Sequence, residues 1–214
     1  MEKELAYLLG AFRDGSIHSY KDGKDCEFII LQKEKWWLTD VVAPKLETLL
    51  NRKFSVSEKM VGGVYRIRFR SKQLFSLLVE KYNFPYSGKQ VFWNPAINNE
   101  YITDYLRGFF DAEGGVFIKG KNIRVDFYQS WHEENSCPPL EEIRRMLLSL
   151  GIKCGSVRKR KSNGMQNFPR YVLSISNKRS VIEFAKIVGS NHPRKREYFD
   201  RLLSVGISLE AAII

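Results

Sequence analysis

Two carboxylates carry the chemistry this sequence can offer. Asp14 closes the run Leu8-Leu9-Gly10-Ala11-Phe12-Arg13-Asp14-Gly15, and Glu113 closes Leu106-Arg107-Gly108-Phe109-Phe110-Asp111-Ala112-Glu113-Gly114. Each run reads as an apolar helix with small residues that stops at an acid followed by glycine. A carboxylate at a helix C-terminus faces the negative end of the helix dipole. An acid placed so unfavourably, twice, needs a counter-charge, and a divalent cation supplies one. Carboxylate oxygens are hard ligands that suit Mg²⁺, which keeps several waters and takes further ligands from phosphate. A duplicated helix ending on an acid therefore points to two carboxylates meeting across a pseudo-twofold axis, in the manner of a metal-dependent nuclease. Other chemistries find no support. His18, His132 and His192 are scattered, with no zinc-like spacing, and no nucleophile elbow is present.

The chemical balance of the chain agrees. Its 214 residues carry 35 Lys and Arg against 24 Asp and Glu, a formal net charge of +11 that calls for a polyanionic partner. Hydrophobic residues make up 43%, enough for a core, yet no apolar run is long enough to span a bilayer. Met1-Glu2-Lys3-Glu4 lacks the apolar stretch expected of a signal peptide. Cys26, Cys137 and Cys154 are odd in number and far apart, which gives neither a disulfide framework nor a metal-ligand spacing. The expectation is a cytoplasmic monomer, nucleoid-associated when bound, with no membrane partner.

The elements that must position the acids come in two copies. After Asp14, strands are expected at 16–20 and 26–32, joined through Lys21-Asp22-Gly23-Lys24 with its Asp-Gly hairpin signal. After Glu113, strands are expected at 115–119 and 123–129, joined through Gly120-Lys121-Asn122. Helical periodicity follows at 38–50, with Trp36-Trp37 before it, and at 140–150, between Pro138-Pro139 and Gly151. A second hairpin comes next, 54–59 with 64–70 and 156–161 with 170–176, then a closing helix at 72–81 and 178–188. The fold class expected is α+β: two αββαββα repeats at 1–82 and 100–205, a linker at 83–99 and a short apolar tail at 206–214.

This pattern resembles the LAGLIDADG homing endonucleases in their single-chain, two-repeat form, and looks most like the archaeal intron-encoded members. The resemblance runs from Leu5 to about Leu203. It departs in the first motif, where Gly10 precedes Asp14 by four residues while Gly108 precedes Glu113 by five. One residue is missing from the first helix, which leaves the helix register open. The resemblance implies antiparallel sheets forming a DNA-binding saddle. It also implies motif helices packed at the repeat interface through Gly10, Ala11, Gly108 and Ala112, with Gly15 and Gly114 giving permissive backbone angles at the helix exits. It implies that Asp14 and Glu113 hold Mg²⁺, with Mn²⁺ or Ca²⁺ able to substitute for binding. Each strand would be cut once, leaving short 3′ overhangs, and the unlike acids would make the two cuts unequal in rate. Gln32 and Gln129 match the family's polar residue at the end of the second strand, and Lys89 and Lys195 its basic residue near the scissile phosphates.

For the partner, alternation along 64–70 places Arg66, Arg68 and Arg70 on one face and Tyr65, Ile67 and Phe69 on the other. Lys21, Lys24 and Lys33 add to the first half. The second half offers Lys119, Lys121, Arg124, Arg158, Lys159, Arg160, Lys161 and Arg170. Antiparallel ribbons fit the major groove, where arginine can bind guanine through two hydrogen bonds. The expected partner is a long, partly palindromic DNA duplex. Phe109, Phe110, Trp36 and Trp37 sit in apolar phases, which favours packing over base stacking. The alternatives are an intron RNA splicing helper and a non-cleaving DNA-binding protein on the same fold. Retention of both acids favours cleavage.

Overall fold

Glycine leads directly from helix to strand twice in this chain, and each time a four-stranded antiparallel sheet follows. The computed structural model describes residues 2–19, 26–59, 62–82, 84, 95–119, 122–133, 135–160 and 168–210. Lys21, Lys24, Lys89, Lys121 and Lys161 lie outside the described residues, as do the side chains of Asp14 and Lys119.

The first repeat runs α1 (Glu2–Ala11), a 3-10 turn (Phe12–Asp14), β1 (Gly15–Ser19) and β2 (Cys26–Gln32). It continues through α2 (Lys35–Trp37), a π-helical stretch (Leu38–Val42), α3 (Ala43–Leu50), β3 (Ser57–Lys59), β4 (Val64–Arg70) and α4 (Lys72–Tyr82). The strand order is β1-β2-β4-β3. Alternation holds on β4: Ile67 and Phe69 are buried while Arg68 and Arg70 point outward. Phe69 stacks on Phe28 of the neighbouring β2 with ring centroids 5.0 Å apart.

The second repeat runs α5 (Ile102–Glu113), β5 (Gly114–Lys119), β6 (Asn122–Ser130), α6 (Pro138–Ser149), β7 (Arg158–Lys159), β8 (Arg170–Ile175), α7 (Lys178–Ile187) and α8 (Pro193–Glu210), with strand order β5-β6-β8-β7. Val125, Phe127, Leu173 and Ile175 are fully buried, as are Leu140, Ile143, Met146 and Leu147 of α6. Phe127 meets Phe184 of α7 edge to face at 5.7 Å.

Four expectations need correction. The helix expected at 38–50 begins at Lys35, so Trp36 and Trp37 lie inside its first turn. Pro44 lacks an N–H and would clash with the carbonyl four residues back. The chain widens just before it into π geometry, with the Ala43 N–H bonded to the Leu38 carbonyl. β3 is shorter than 54–59 because Phe54 turns inward onto Phe69 at 4.9 Å. β7 holds only Arg158–Lys159, although the Arg160 N–H still reaches the Arg170 carbonyl. Lastly, α8 follows the expected closing helix, where no further element was expected, and runs into the tail, with Phe199 packed on Phe184 at 5.7 Å.

Compactness divides the chain at Met1–Glu113 and Gly114–Ile214, immediately after α5, because that helix packs with α1. Among the described residues no helix is long and apolar enough to cross a membrane.

Candidate metal and nucleic-acid site

α1 and α5 pack at the distance glycine allows. A Cβ on Gly108 would strike the Tyr7 carbonyl, and one on Gly10 would strike the Tyr105 carbonyl and the Phe109 nitrogen. Both sides of the contact are apolar: Leu5, Leu8, Leu9 and Ala11 on α1, and Tyr105, Leu106, Phe109 and Phe110 on α5, are all buried. Ala112 is half-buried, so the close approach rests on the glycines.

The missing residue of the first motif is absorbed by a change of helix type. An α-helix rises about 1.5 Å per residue and a 3-10 helix about 2.0 Å. From Gly10 to Asp14 the chain takes one α step and three 3-10 steps, roughly 7.5 Å; from Gly108 to Glu113 it takes five α steps, also roughly 7.5 Å. The two acids therefore sit equally far along their helices from the glycine contact. Gly15 follows with φ −157°, an extended conformation open to any residue. Space rather than permissive backbone selects glycine there, because a Cβ would strike the Ile29 carbonyl. Gly114 is likewise absent from the positive-φ glycines.

The two glutamines repeat the same register. Gly15 pairs with Ile30 and Gly114 with Phe127, so each glutamine stands two residues beyond the partner of the glycine that follows the acid. Their environments differ. The Oε1 of Gln32 accepts the Lys33 N–H at 2.8 Å. Gln129 is 6% exposed; its Nε2 donates to the Ser130 carbonyl at 3.2 Å, and its Oε1 has no hydrogen-bond partner among the described residues. Lys195 stands half-buried in the first turn of α8, and Lys33 is exposed just past β2. Among the described residues no three His, Cys, Asp or Glu side chains gather as a metal-binding group.

Sequence reasoning missed a buried network that ties the motif helices. The Tyr7 hydroxyl donates to Asp111 Oδ2 at 2.6 Å and accepts the Trp37 Nε1–H at 3.1 Å. The Lys45 ammonium lies 4.7 Å from the Tyr7 ring centroid. Burial, then the Asp111 carboxylate, push the Tyr7 hydroxyl well above its ordinary pKa. Burial lowers the pKa of Lys45, against the pull of Glu4 and Asp104. Arg13, next to Asp14, donates to the Tyr105 hydroxyl at 3.3 Å. The available signal was an aspartate directly after Phe109 and Phe110, at a position on the apolar side of its helix.

The sheet faces carry the expected arginines, with partners that were not expected. In the first repeat Arg68 grips Glu27 through two hydrogen bonds, Nε to Oε1 at 2.8 Å and Nη2 to Oε2 at 3.0 Å. Arg70 stands 4.0 Å from the same carboxylate, and Arg66 donates to Ser57 at 3.3 Å. In the second repeat Arg124, Asp126 and Tyr128 share one face of β6. Arg124 Nε lies 2.9 Å from Asp126 Oδ1 and donates to Oδ2 at 3.1 Å. The Tyr128 hydroxyl donates to that Oδ2 at 2.8 Å. Burial, then this hydrogen bond and the carboxylate charge, push Tyr128 up to about 12. Arg170 and Arg160 lie over the Tyr128 ring at 4.9 and 5.4 Å, and Arg158 and Lys159 are exposed. Phe109, Phe110 and Trp37 are core residues as expected, but Phe117, 44% exposed, stands opposite Arg124 on the polar face.

Comparison with known proteins agrees with this architecture. Residues 100–189 match the LAGLIDADG-like domain family. The homing endonuclease I-ApeI of Aeropyrum pernix is 31% identical over 207 residues, covering 93% of this chain and 86% of its own. An uncharacterised protein of Methanocaldococcus jannaschii is 27% identical over 212 residues, covering 94% of this chain and 71% of its own. Among solved structures, I-DmoI in complex with DNA and Ca aligns over 94% of this chain and 98% of its own, with a TM-score of 0.61 and 21% identity. The N-terminal LAGLIDADG domain of WhiA aligns over 94% and 87%, with a TM-score of 0.57 and 16% identity. The structural matches share the fold, and the identity to I-ApeI along nearly the full length goes further: the chain belongs to the LAGLIDADG homing endonuclease family.

Proposed function

We propose that this protein is a site-specific DNA endonuclease that cuts one phosphodiester in each strand of a long, partly asymmetric duplex site. The observation that carries this reading is the matched reach of Asp14 and Glu113 from the Gly10–Gly108 contact, preserved although one motif is a residue shorter. A chain with no use for two aligned acids has no reason to compensate the deletion.

The residues suit a divalent ion. Asp14 and Glu113 supply hard oxygen donors at helix C-termini, where the dipole favours a cation. The buried, unpartnered Oε1 of Gln129 is an acceptor suited to a water. Asp14 and Glu113 would hold Mg²⁺, or Mn²⁺ or Ca²⁺ in its place for binding; I-DmoI has been crystallised with DNA together with Mn and with Ca. When bound, the ion would activate water and offset charge on the phosphate. Gln32 and Gln129 orient water, Lys89 and Lys195 offset phosphate charge, and the arginines of both sheets hold the duplex. The products carry short 3′ overhangs, and the protein acts as an intracellular monomer built from repeats at 1–82 and 100–205.

Incubation with a duplex library in Mg²⁺, followed by sequencing of cut ends, tests this. Asp14→Asn and Glu113→Gln are expected to bind the selected site and leave it uncut. Double-strand cutting by either variant overturns the assignment. Binding without any cutting by the unsubstituted protein would identify a non-cleaving DNA-binding protein instead.

A further inference from the structure

An arginine is clamped by a carboxylate on each sheet, Arg68 by Glu27 and Arg124 by Asp126. Arg68 is held along one edge of its guanidinium, with Nε and Nη2 both bonded to Glu27 and, among the described residues, no aromatic ring paired across the strand from it. Arg124 is only half engaged. Asp126 takes its Nε, and the Phe117 ring lies 5.2 Å from its guanidinium carbon. Its Nη1 and Nη2 make no hydrogen bond among the described residues, and the side chain is 49% exposed.

Asp126 is well placed as a clamp. It is 1% exposed, and its Oδ2 is fixed by the Tyr128 hydroxyl. The direct pairing of Phe117 with Arg124 across β5 and β6 puts the ring beside the guanidinium. The side chain is thus held along its stem and free at its tip. Arginine reads guanine by directing two N–H groups at O6 and N7. With Nε occupied, the end-on pair Nη1 and Nη2 remains for that contact, on the face opposite the buried Val125 and Phe127. A phosphate contact would need no such clamp, because a mobile cation serves it as well.

We propose that Arg124 is a specificity-determining residue that reads one guanine in the major groove, with Asp126 as its positioning residue and Tyr128 fixing Asp126. The inference rests on the proposed reading of the chain as a duplex-binding protein, and it assigns one base contact to one side chain. A buried carboxylate on a DNA-facing surface opposes phosphate, so its presence is explained by the orientation it imposes.

The test is selection of bound duplexes from a randomised library in Ca²⁺, comparing the unsubstituted protein with Arg124→Ala, Arg124→Lys and Asp126→Asn. Guanine preference at one position is expected to vanish in Arg124→Ala, with affinity for the selected site falling about 5- to 150-fold. Arg124→Lys keeps the charge but lacks the fork, and is expected to lose the same preference. Asp126→Asn is expected to relax that position while affinity for sites bearing another base there holds or rises. Weakening of all duplexes alike in Arg124→Ala, with recovery in Arg124→Lys, would identify a phosphate contact and overturn the assignment. Base frequencies unchanged in every variant would also overturn it while leaving the proposed function standing. If the unsubstituted protein selects no duplex at all, both fall.

Discussion

A buried carboxylate is costly unless its oxygens are partnered, and the Tyr7 hydroxyl supplies a partner for Asp111. Tyr7→Phe removes that donor and the acceptor of the Trp37 indole together. Unfolding in urea should show a loss of about 1–3 kcal/mol, larger than for an exposed Tyr→Phe change such as Tyr198→Phe. His192 makes a second prediction at this scale. Burial, then Lys195 and Arg194 beside it, hold its imidazole down at about 4, against an ordinary 6.5. Between those values the unfolded chain binds the proton and the folded chain resists it. The stability contribution is therefore present above pH 6.5 and lost as pH falls toward 4. From pH 6.5 to 5 the loss should be about 2 kcal/mol, and His192→Gln should flatten that part of the profile. The helix-end positions of Asp14 and Glu113 were legible because an acid followed by glycine, repeated, stands out by type and place. Tyr7 with Asp111, and Arg68 with Glu27, were not. Their partners are remote in sequence, and only helix packing and strand register bring them together. Arg124 with Asp126 lies two residues apart on one strand face, and was visible in principle.

At the level of elements, alternation on 64–70 and the repeated glycine-to-strand junction could be read directly, because each depends on local period and residue type. α8 could not. Its opening Pro193-Arg194-Lys195-Arg196-Glu197 is charged, and Phe199 is the buried anchor among its described side chains. The 3-10 turn was announced only as a deletion, since nothing local distinguishes a tightened helix from a shifted one. The helix contact itself yields a sharp expectation. Gly108→Ala pushes a methyl group into the Tyr7 carbonyl, and backbone cannot move aside as a flexible side chain can. Overpacking of this kind costs about 1–3 kcal/mol or more, which lowers the melting temperature by about 2–4 °C for each kcal/mol in a chain of this size. Gly62→Ala, in an open turn with φ +92°, is the comparison: it should cost less, through backbone strain alone. A thermal melt of Gly108→Ala that matches the unsubstituted protein would show that the motif helices need no glycine to meet.

Across the whole molecule the positive charge is unevenly held. Gly114–Ile214 carries 18 Lys and Arg against 9 Asp and Glu, whereas Met1–Glu113 carries 17 against 15. Nearly all of the net charge of +11 thus belongs to the second unit, where Arg158, Lys159 and Arg160 are exposed together at the sheet edge. In the first unit, Lys53 pairs with Glu47 at 3.1 Å and Lys81 with Glu2 at 3.4 Å, each cation beside an acid that offsets it. Counterions released by phosphate contacts make the logarithm of the binding constant fall with the logarithm of salt, by about 0.9 for each phosphate neutralised. If the second unit supplies most of those contacts, Arg158→Gln with Lys159→Gln should reduce the slope by about 2, measured by anisotropy between about 50 and 200 mM salt. Lys53→Gln with Lys81→Gln removes the same formal charge and should leave the slope unchanged. Equal effects from the two pairs would mean that net charge attracts the duplex without choosing a surface. A larger effect from the Lys53 and Lys81 pair would put the phosphates against the first unit, and the charge asymmetry would then need another explanation.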